Sequence, residues 1–533
     1  MRSRIHRTIY ILLLCLLVIF MTTSVFMTNL VWVLLLANWV LEWNWREKFA
    51  DFRHKYLLQA FLVLLGVHLV WLIGTENYIY ALYDLQKKMP LFLLPLVILT
   101  TPPPTPKEAM NIGICYVGTV LVVTGMGLVR YLTIADLPYR DIVPHISHIR
   151  FGLNLCLSLF ALVWAALKYR RPWLYCLNLL LSLWFLAFLL MIHSYTAFII
   201  IIVTALVLLI AYRNRMEKPL RIAAYAIVGG ILILSLGLCG YYCYDYYHLR
   251  PLSTEPLAKT TANGRPYMHL KDSLIENGNY VHNYICEEEM RQEWAKRSTF
   301  PFDSVTSSGW SIYPTLLRYL NGLNLTKDSI GVTHLTAEDI SAIEKGIANP
   351  VYIQPGPRKM VYVMCYEYEN YHYYHRVKDF SMLQRLELWG NGVKVFLQHP
   401  WMGVGTGDVV DVCQARLNQT HSALAHKDMH THNQYLNFLL AFGLIGFAII
   451  VFFFARAVIL SGSCHRILFT TFLCILLISF VSEDTLETLA GIVFTALFFS
   501  LLSIQKSNTG TALPNEKHSS ALLEKSSELS TQN

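Results

Sequence analysis

Long apolar runs broken by short polar turns fill both ends of the chain, and a single long polar stretch separates them. A hydrocarbon core about 30 Å thick takes roughly 20 apolar residues of α-helix. Twelve runs meet or approach that length: 8–26, 28–43, 57–74, 85–101, 110–131, 151–168, 174–193, 196–212, 222–241, 435–460, 467–482 and 488–504. None alternates with period two, so each reads as helix rather than barrel strand, the two structures that leave no backbone polar group unpaired in lipid. The fourth run is short and stops at Thr100-Thr101-Pro102-Pro103-Pro104. The pattern therefore predicts an all-α polytopic membrane protein with about 12 transmembrane helices.

The first run imitates a signal peptide. No small-residue cleavage site follows it and a second run begins at once, which predicts an uncleaved first span. Basic residues then set the orientation. Arg2, Arg4 and Arg7 precede the first span, and Arg46, Lys48, Arg53 and Lys55 follow the second. Lys168, Arg170 and Arg171 follow the sixth; Arg213, Arg215 and Lys218 follow the eighth; Arg456 and Arg466 flank the loop after the tenth. With twelve spans all of these fall on one side, so both termini are expected in the cytoplasm. The chain then divides into an N-terminal membrane domain (1–241, about nine spans), an extracytoplasmic loop domain (242–434), C-terminal spans (435–504) and a tail (505–533). The tail is rich in Ser, Thr, Lys, Glu and Asn and is expected to be disordered.

Composition agrees with this division. Of 533 residues, 55% are hydrophobic and 15% charged, with mean hydropathy +0.42, which excludes a disordered chain. The net charge of +8 is mostly the topological bias. No basic stripe with interleaved aromatics stands on a soluble domain, so nucleic acid is not an expected partner. The eleven cysteines lie mostly in spans. Cys286, Cys365 and Cys413 fall in the loop and Cys243 at its membrane edge, where a disulfide is open, but no spacing suggests a metal site.

The loop itself reads as a folded, mainly helical domain. Thr336-Ala337-Glu338-Asp339, followed by Ile340, Ile343 and Ile347, predicts a capped amphipathic helix. Met382, Leu386, Trp389, Val393 and Phe396, at 4-3-4-3 spacing, predict a second over about 381–398. Between them Tyr362, Tyr366, Tyr368, Tyr371, Tyr373 and Tyr374 suit a strand or a membrane-surface aromatic belt.

Candidate chemistry gathers where the loop runs back into the apolar runs. His432 leads: a neutral imidazole takes a proton from a hydroxyl near neutral pH, and His430 and Asn433 stand beside it. The His430/His432 spacing of two fits a strand better than a helix and has no partner cluster, so a metal is not expected. Arg385, on the flank of the predicted helix 381–398, offers a fork that pairs bidentately with phosphate. His148 and Arg150 sit at the mouth of the sixth span, Arg150 with the wrong sign for a helix N-terminus. Glu483, Asp484 and Glu487 read most simply as caps of the last span, although Glu483 and Glu487 would share one helical face able to neutralise an arginine or orient His432. Gly403, Gly405 and Gly407 lack the strand and the Lys-Ser/Thr of a nucleotide loop, so they suit close backbone approach or a sharp bend.

Arg385, Trp389, His399-Pro400, Gly403-Val404-Gly405, His432-Asn433, Tyr435-Leu436, Gly443-Leu444 and Gly446 together resemble the signature of the O-antigen ligase/polymerase family. The resemblance extends to Ser147-His148-Ile149-Arg150-Phe151, and Glu276-Asn277-Gly278-Asn279-Tyr280, Ile285-Cys286-Glu287-Glu288-Glu289 and Glu483-Asp484-Thr485-Leu486-Glu487-Thr488 are similar to its long-loop, ligase-like branch. The resemblance spans nearly all of the chain except the tail. It implies a C-type membrane glycosyltransferase fold in the bacterial inner membrane, without metal or other cofactor. It also implies undecaprenyl-pyrophosphate glycan as donor and a periplasmic active site. His432 matches that family's essential histidine, Arg385 its phosphate-binding arginine and Arg150 an outer-face arginine. His148, His430, Asn433, Gly405, Glu483 and Glu487 are the expected substrate-binding neighbours. Many relatives carry Ser-Arg-Thr-Gly in a middle span where this chain has His193-Ser194-Tyr195-Thr196-Ala197, so the arginine of that element is missing and His193 stands in its region.

The expected reaction is inverting transfer of a glycan to a lipid A-core sugar, the other partners being membrane lipids. Polymerisation of repeat units or transfer to protein uses the same motifs. A polysaccharide or lipid transporter would instead show broken helices and polar residues near mid-bilayer in matching halves, and no halves match. A sensor or assembly scaffold would leave the histidine motif without a purpose.

Overall fold

The computed structural model describes residues 2–134, 137–215, 217–254, 256–270, 273–354, 356–374, 381–425 and 430–504; the predicted disordered tail lies outside them. An α-helix covers each of the twelve apolar runs. Six are long and apolar enough to cross a membrane alone, and Val25–Leu41 with Trp45–His54 reach that length only together, as a pair bent by 114°. Tyr56–Val70, Tyr195–Ala211, Ile467–Ser482 and Leu489–Ile504 are shorter apolar helices. The remaining helix, Tyr78–Thr100, is charged in its first half.

Two boundaries differ from expectation for clear reasons. The first helix is Arg2–Phe20 rather than 8–26, because the Ser24 hydroxyl accepts the Met27 N–H and opens a new helix at Val25. The fourth helix starts at Tyr78 rather than 85: the Asn77 side chain caps it, and its charged turn is paired rather than solvated. One apolar core runs through these helices, with Leu489–Ile504 buried on nearly every side.

The loop region has its own core, built on Trp294, Ile312, Leu316, Leu320, Val332 and Ile343. Its helices include Glu287–Arg297, Ile312–Gly322 and Ala337–Glu344, with a two-residue hairpin pairing Ile275–Glu276 with Asn279–Tyr280. Thr336 and Asp339 form the reciprocal cap expected of them. The tyrosine-rich segment is a helix, Pro357–Tyr374, which corrects the strand expectation. Tyr362 is fully buried and packs edge-on against Tyr246, whereas Tyr368, Tyr371, Tyr373 and Tyr374 point outward. The second predicted amphipathic helix is Ser381–Gln398.

The glycine motif is explained by a splice in the helix Gln434–Leu460. At Gly443 (φ 62°, ψ −170°) the helix breaks, and four backbone groups lose their helical partners. The segment after helix 381–398 supplies replacements. Val404 and Gly405 donate to the carbonyls of Leu440 and Ala441, while Leu444 and Ile445 donate to those of Pro400 and Trp401. Such close apposition needs glycine. A Cβ on Gly403 would lie 2.4 Å from the Leu440 carbonyl oxygen, and one on Gly443 would lie 2.3 Å from that of Trp401.

Gly443→Ala is therefore expected to destabilise the protein by about 2 kcal/mol or more, from a glycine-only conformation plus the backbone clash. Gly230→Ala meets no atom within 4 Å and is expected to be neutral or slightly stabilising. Thermal unfolding of the two variants in one detergent compares them, and equal melting temperatures would contradict the splice.

Candidate functional site

The helix Ile467–Ser482 ends where Glu483 turns to an extended conformation, and a single 3-10 turn, Thr485–Glu487, leads into the last helix. The turn is fixed from three directions. Gly491 passes so close that a Cβ there would collide with the Thr485 carbonyl, Ser479 and Thr485 share a hydroxyl contact at 3.2 Å, and the Leu486 N–H donates to Gln434 Oε1 at 2.8 Å. Glu483 and Glu487 are thus not on one helical face; they point to opposite ends of the turn.

At the first end, Arg385 Nη2 donates to Glu483 Oε1 at 2.7 Å. Arg150 Nη2 lies 3.2 Å from Asp484 Oδ1 and 3.8 Å from Glu483 Oε2. His432 Nδ1 stands 3.7 Å from that same Asp484 oxygen, too long for a hydrogen bond. Three residues far apart in the chain thus converge on two adjacent carboxylates. Glu483 and Asp484 side chains are each 5% exposed, while His432 keeps 33% of its surface open. Burial pushes the Glu483 carboxyl above its usual range, and the two guanidinium groups oppose that shift.

His432 is held in place by its neighbours. Trp389 donates its indole N–H to the Thr431 carbonyl at 2.9 Å, and the Thr431 hydroxyl donates to Asn437. Asn433 spends its side-chain oxygen on the Leu436 N–H, capping the following helix. Between these anchors His432 adopts φ 51°, a left-handed conformation uncommon for a non-glycine residue. Local strain of this kind is found at functional positions when the surroundings enforce it.

At the other end of the turn, Glu487 pairs with Lys88 at 3.0 Å, and Lys88 pairs with Asp84 at 2.6 Å. All three are at least nine-tenths buried. Although burial alone would raise it, the Glu487 carboxyl is held far below its usual range, chiefly by Lys88 and then by His430. His68, Tyr80 and Thr406 line the same pocket as Asp84, Lys88, His430 and Glu487.

The structure thus separates residues that the sequence groups together. Arg385, Arg150, His432 and Glu483 meet. His430 and Glu487 belong to the Lys88 pocket instead. Gly405 packs its backbone on Thr75 and Ala441, and Asn433 is a helix cap. His148 is the first residue of the helix His148–Tyr169, its ring edge-on to Tyr139, within electrostatic range of Arg385. His193 also has positive φ and packs on Tyr139 and Tyr195.

Asp84, Lys88 and Gln434 were not anticipated. The available signal was an i,i+4 Asp–Lys pair running straight into an apolar stretch, a charge pair that lipid tolerates only when matched. Glu367 is a further case. Buried in helix Pro357–Tyr374, its carboxyl faces the backbone N–H groups of Met382 and Leu383, in the first turn of the Arg385 helix.

His432, Glu483 and Asp484 place one ligand atom each within 4.8 Å of one another, the spacing of a cation site. The donor set does not fit one. Both carboxylates already face guanidinium groups, so a divalent ion would be placed beside two fixed positive charges.

These features define a helical membrane protein whose charged centre lies where a folded loop rejoins its apolar helices. Residues 331–451 match the family model described as O-antigen ligase. The matched segment holds Arg385, Gly405, His430, His432 and Asn433; Arg150, Asp484 and Lys88 join it only through the fold. No curated protein matches the chain significantly.

Lys88→Met should leave buried Glu487 without its cation and Asp84 with only the Lys87 ammonium 3.8 Å away, and cost roughly 3–5 kcal/mol. Adding Asp84→Asn and Glu487→Gln should recover most of that loss. Thermal stability in detergent reads both, and a single variant as stable as wild type would refute the pairing. A second expectation concerns pH. Burial raises Glu367 from 4.5 to about 7, outweighing the two backbone donors and Arg385. The folded chain therefore holds a proton that the unfolded chain releases, and this residue's contribution to stability falls as pH rises from about 4.5 to about 7. Glu367→Gln should flatten the pH dependence of melting over that window; an unchanged slope would exclude the assignment.

Proposed function

We propose that the protein is an O-antigen ligase-type glycosyltransferase of the bacterial inner membrane, with its site on the periplasmic face and both termini cytoplasmic. The observation that carries this reading is the meeting of Arg385, Arg150 and His432 on one acidic turn. Arg385 and Arg150 bind the diphosphate of an undecaprenyl-pyrophosphate-linked glycan. Arg385 spends one Nη on Glu483, and the buried Arg150 Nε has no hydrogen-bond partner among the described residues, so donors remain for phosphate oxygens.

An acceptor hydroxyl, most simply on a lipid A-core sugar, attacks the anomeric carbon. The new C–O bond forms as the bond to the diphosphate breaks, with inversion. His432 takes the hydroxyl proton on Nε2, and the Asp484 carboxylate 3.7 Å from Nδ1 stabilises the resulting imidazolium by its charge. The electron pair leaves on the diphosphate, whose charge the two arginines offset, so the step needs no divalent ion. Repeat-unit polymerisation and transfer to protein differ only in the acceptor.

His432→Ala should lower transfer by about 10²–10⁴-fold with normal membrane insertion. Arg385→Lys should also impair it, because a point charge does not reproduce bidentate pairing. Chelator should change nothing. Wild-type transfer by purified His432→Ala protein would refute the catalytic role, and chelator inhibition reversed by one divalent ion would replace it with a metal site. Lipopolysaccharide gels of a deletion strain separate the acceptors: unattached long-chain glycan marks a ligase, a single-repeat core a polymerase.

A further inference from the structure

The helix Lys218–Tyr247 is loosely attached along its length: no residue from 221 to 245 is buried. Its C-terminal end is different. There Tyr246 is fully buried against Tyr362, Arg358 donates to Asp245 at 3.0 Å, and the Tyr362 hydroxyl donates to the same carboxylate. Two helices distant in sequence, Lys218–Tyr247 and Pro357–Tyr374, are held in one register by these contacts. In that register Cys243 Sγ and Cys365 Sγ stand 3.9 Å apart, both as free thiols.

We propose that Cys243 and Cys365 form a disulfide that clamps the loop domain to the end of the span that leads into it. The inference rests on the periplasmic placement of the loop, since such bonds persist in oxidising compartments. The chemistry is dithiol–disulfide exchange with a disulfide-bearing oxidoreductase. One thiolate attacks the oxidant's disulfide, the second displaces the oxidant from the mixed disulfide, and the oxidant leaves as a dithiol carrying the two electrons and two protons. Cys365 is nearly buried once packed, so exchange takes place as the segment folds. The bond holds helix Pro357–Tyr374, whose Glu367 faces the first turn of the Arg385 helix.

The test is non-reducing peptide mass spectrometry of full-length protein from acid-quenched cells, with thiols alkylated at lysis. The peptide carrying Cys243 should appear linked to that carrying Cys365. Cys239→Ser should keep the link, and Cys243→Ser should lose it. Reduction should lower the melting temperature of wild type and leave that of Cys243→Ser/Cys365→Ser unchanged. A second measurement reports location: Glu338→Cys, at an exposed loop site, is probed in spheroplasts with an impermeant maleimide. Labelling at Glu338→Cys with Cys243 and Cys365 both alkylated as free thiols overturns the disulfide and leaves the periplasmic reading standing. Protection of Glu338→Cys until the membrane is permeabilised overturns the periplasmic reading, and free thiols are then the expected companion result.

Discussion

The acidic turn Glu483–Glu487 is the constraint around which the rest is organised. A carboxylate removed from water costs several kcal/mol unless a cation with good geometry meets it. This turn buries Glu483, Asp484 and Glu487 together. Each partner comes from a different part of the chain: Lys88 from the fourth helix, Arg150 from the sixth, Arg385 and His432 from either side of the loop's return. No local structure can satisfy the turn alone. Completing it requires the N-terminal helices, the loop and the C-terminal helices to be in place at once.

That dependence explains what could be read before folding and what could not. Hydropathy is a local property, so the twelve apolar runs were legible, with errors only where a cap such as Ser24 or Asn77 overrides composition. The arginines and His432 were legible as candidates because they stand at the loop side of the apolar runs, apart from the basic clusters used to set orientation. Their partners were not. Glu483 and Glu487 are spaced like neighbours on a helix, and only the 3-10 turn, pressed by Gly491 and held by Gln434, sends them apart. Lys88 was hidden for a related reason: it lies inside the run 85–101, where the apolar residues around it outweigh its charge. The tyrosines of 362–374 suit a strand by propensity, but packing of Tyr362 on Tyr246 and of Cys365 beside Cys243 favours a helix.

Separating His430 from His432 has a consequence for how the two histidines act. They share a loop, yet one faces Lys88 and Glu487 and the other Asp484. A substitution at His430 reaches His432 through the loop and the turn they share and not through a common side-chain partner, so its effect should follow stability rather than proton transfer.

The glycine splice supplies the rigidity that the electrostatics alone do not. Side-chain ion pairs tolerate shifts of a few tenths of an ångström, but four backbone hydrogen bonds across the break at Gly443 fix segment 400–405 against the helix Gln434–Leu460. Segment 400–405 directly follows the Arg385 helix, and His432 directly precedes the broken helix. The splice therefore joins the two strands of chain that carry Arg385 and His432, one on each side of a single backbone contact. Lipid enforces that contact, because an unpaired carbonyl or N–H at the break has no water to turn to. The distance between arginine and histidine is thus set by the same requirement that keeps the helix in the membrane.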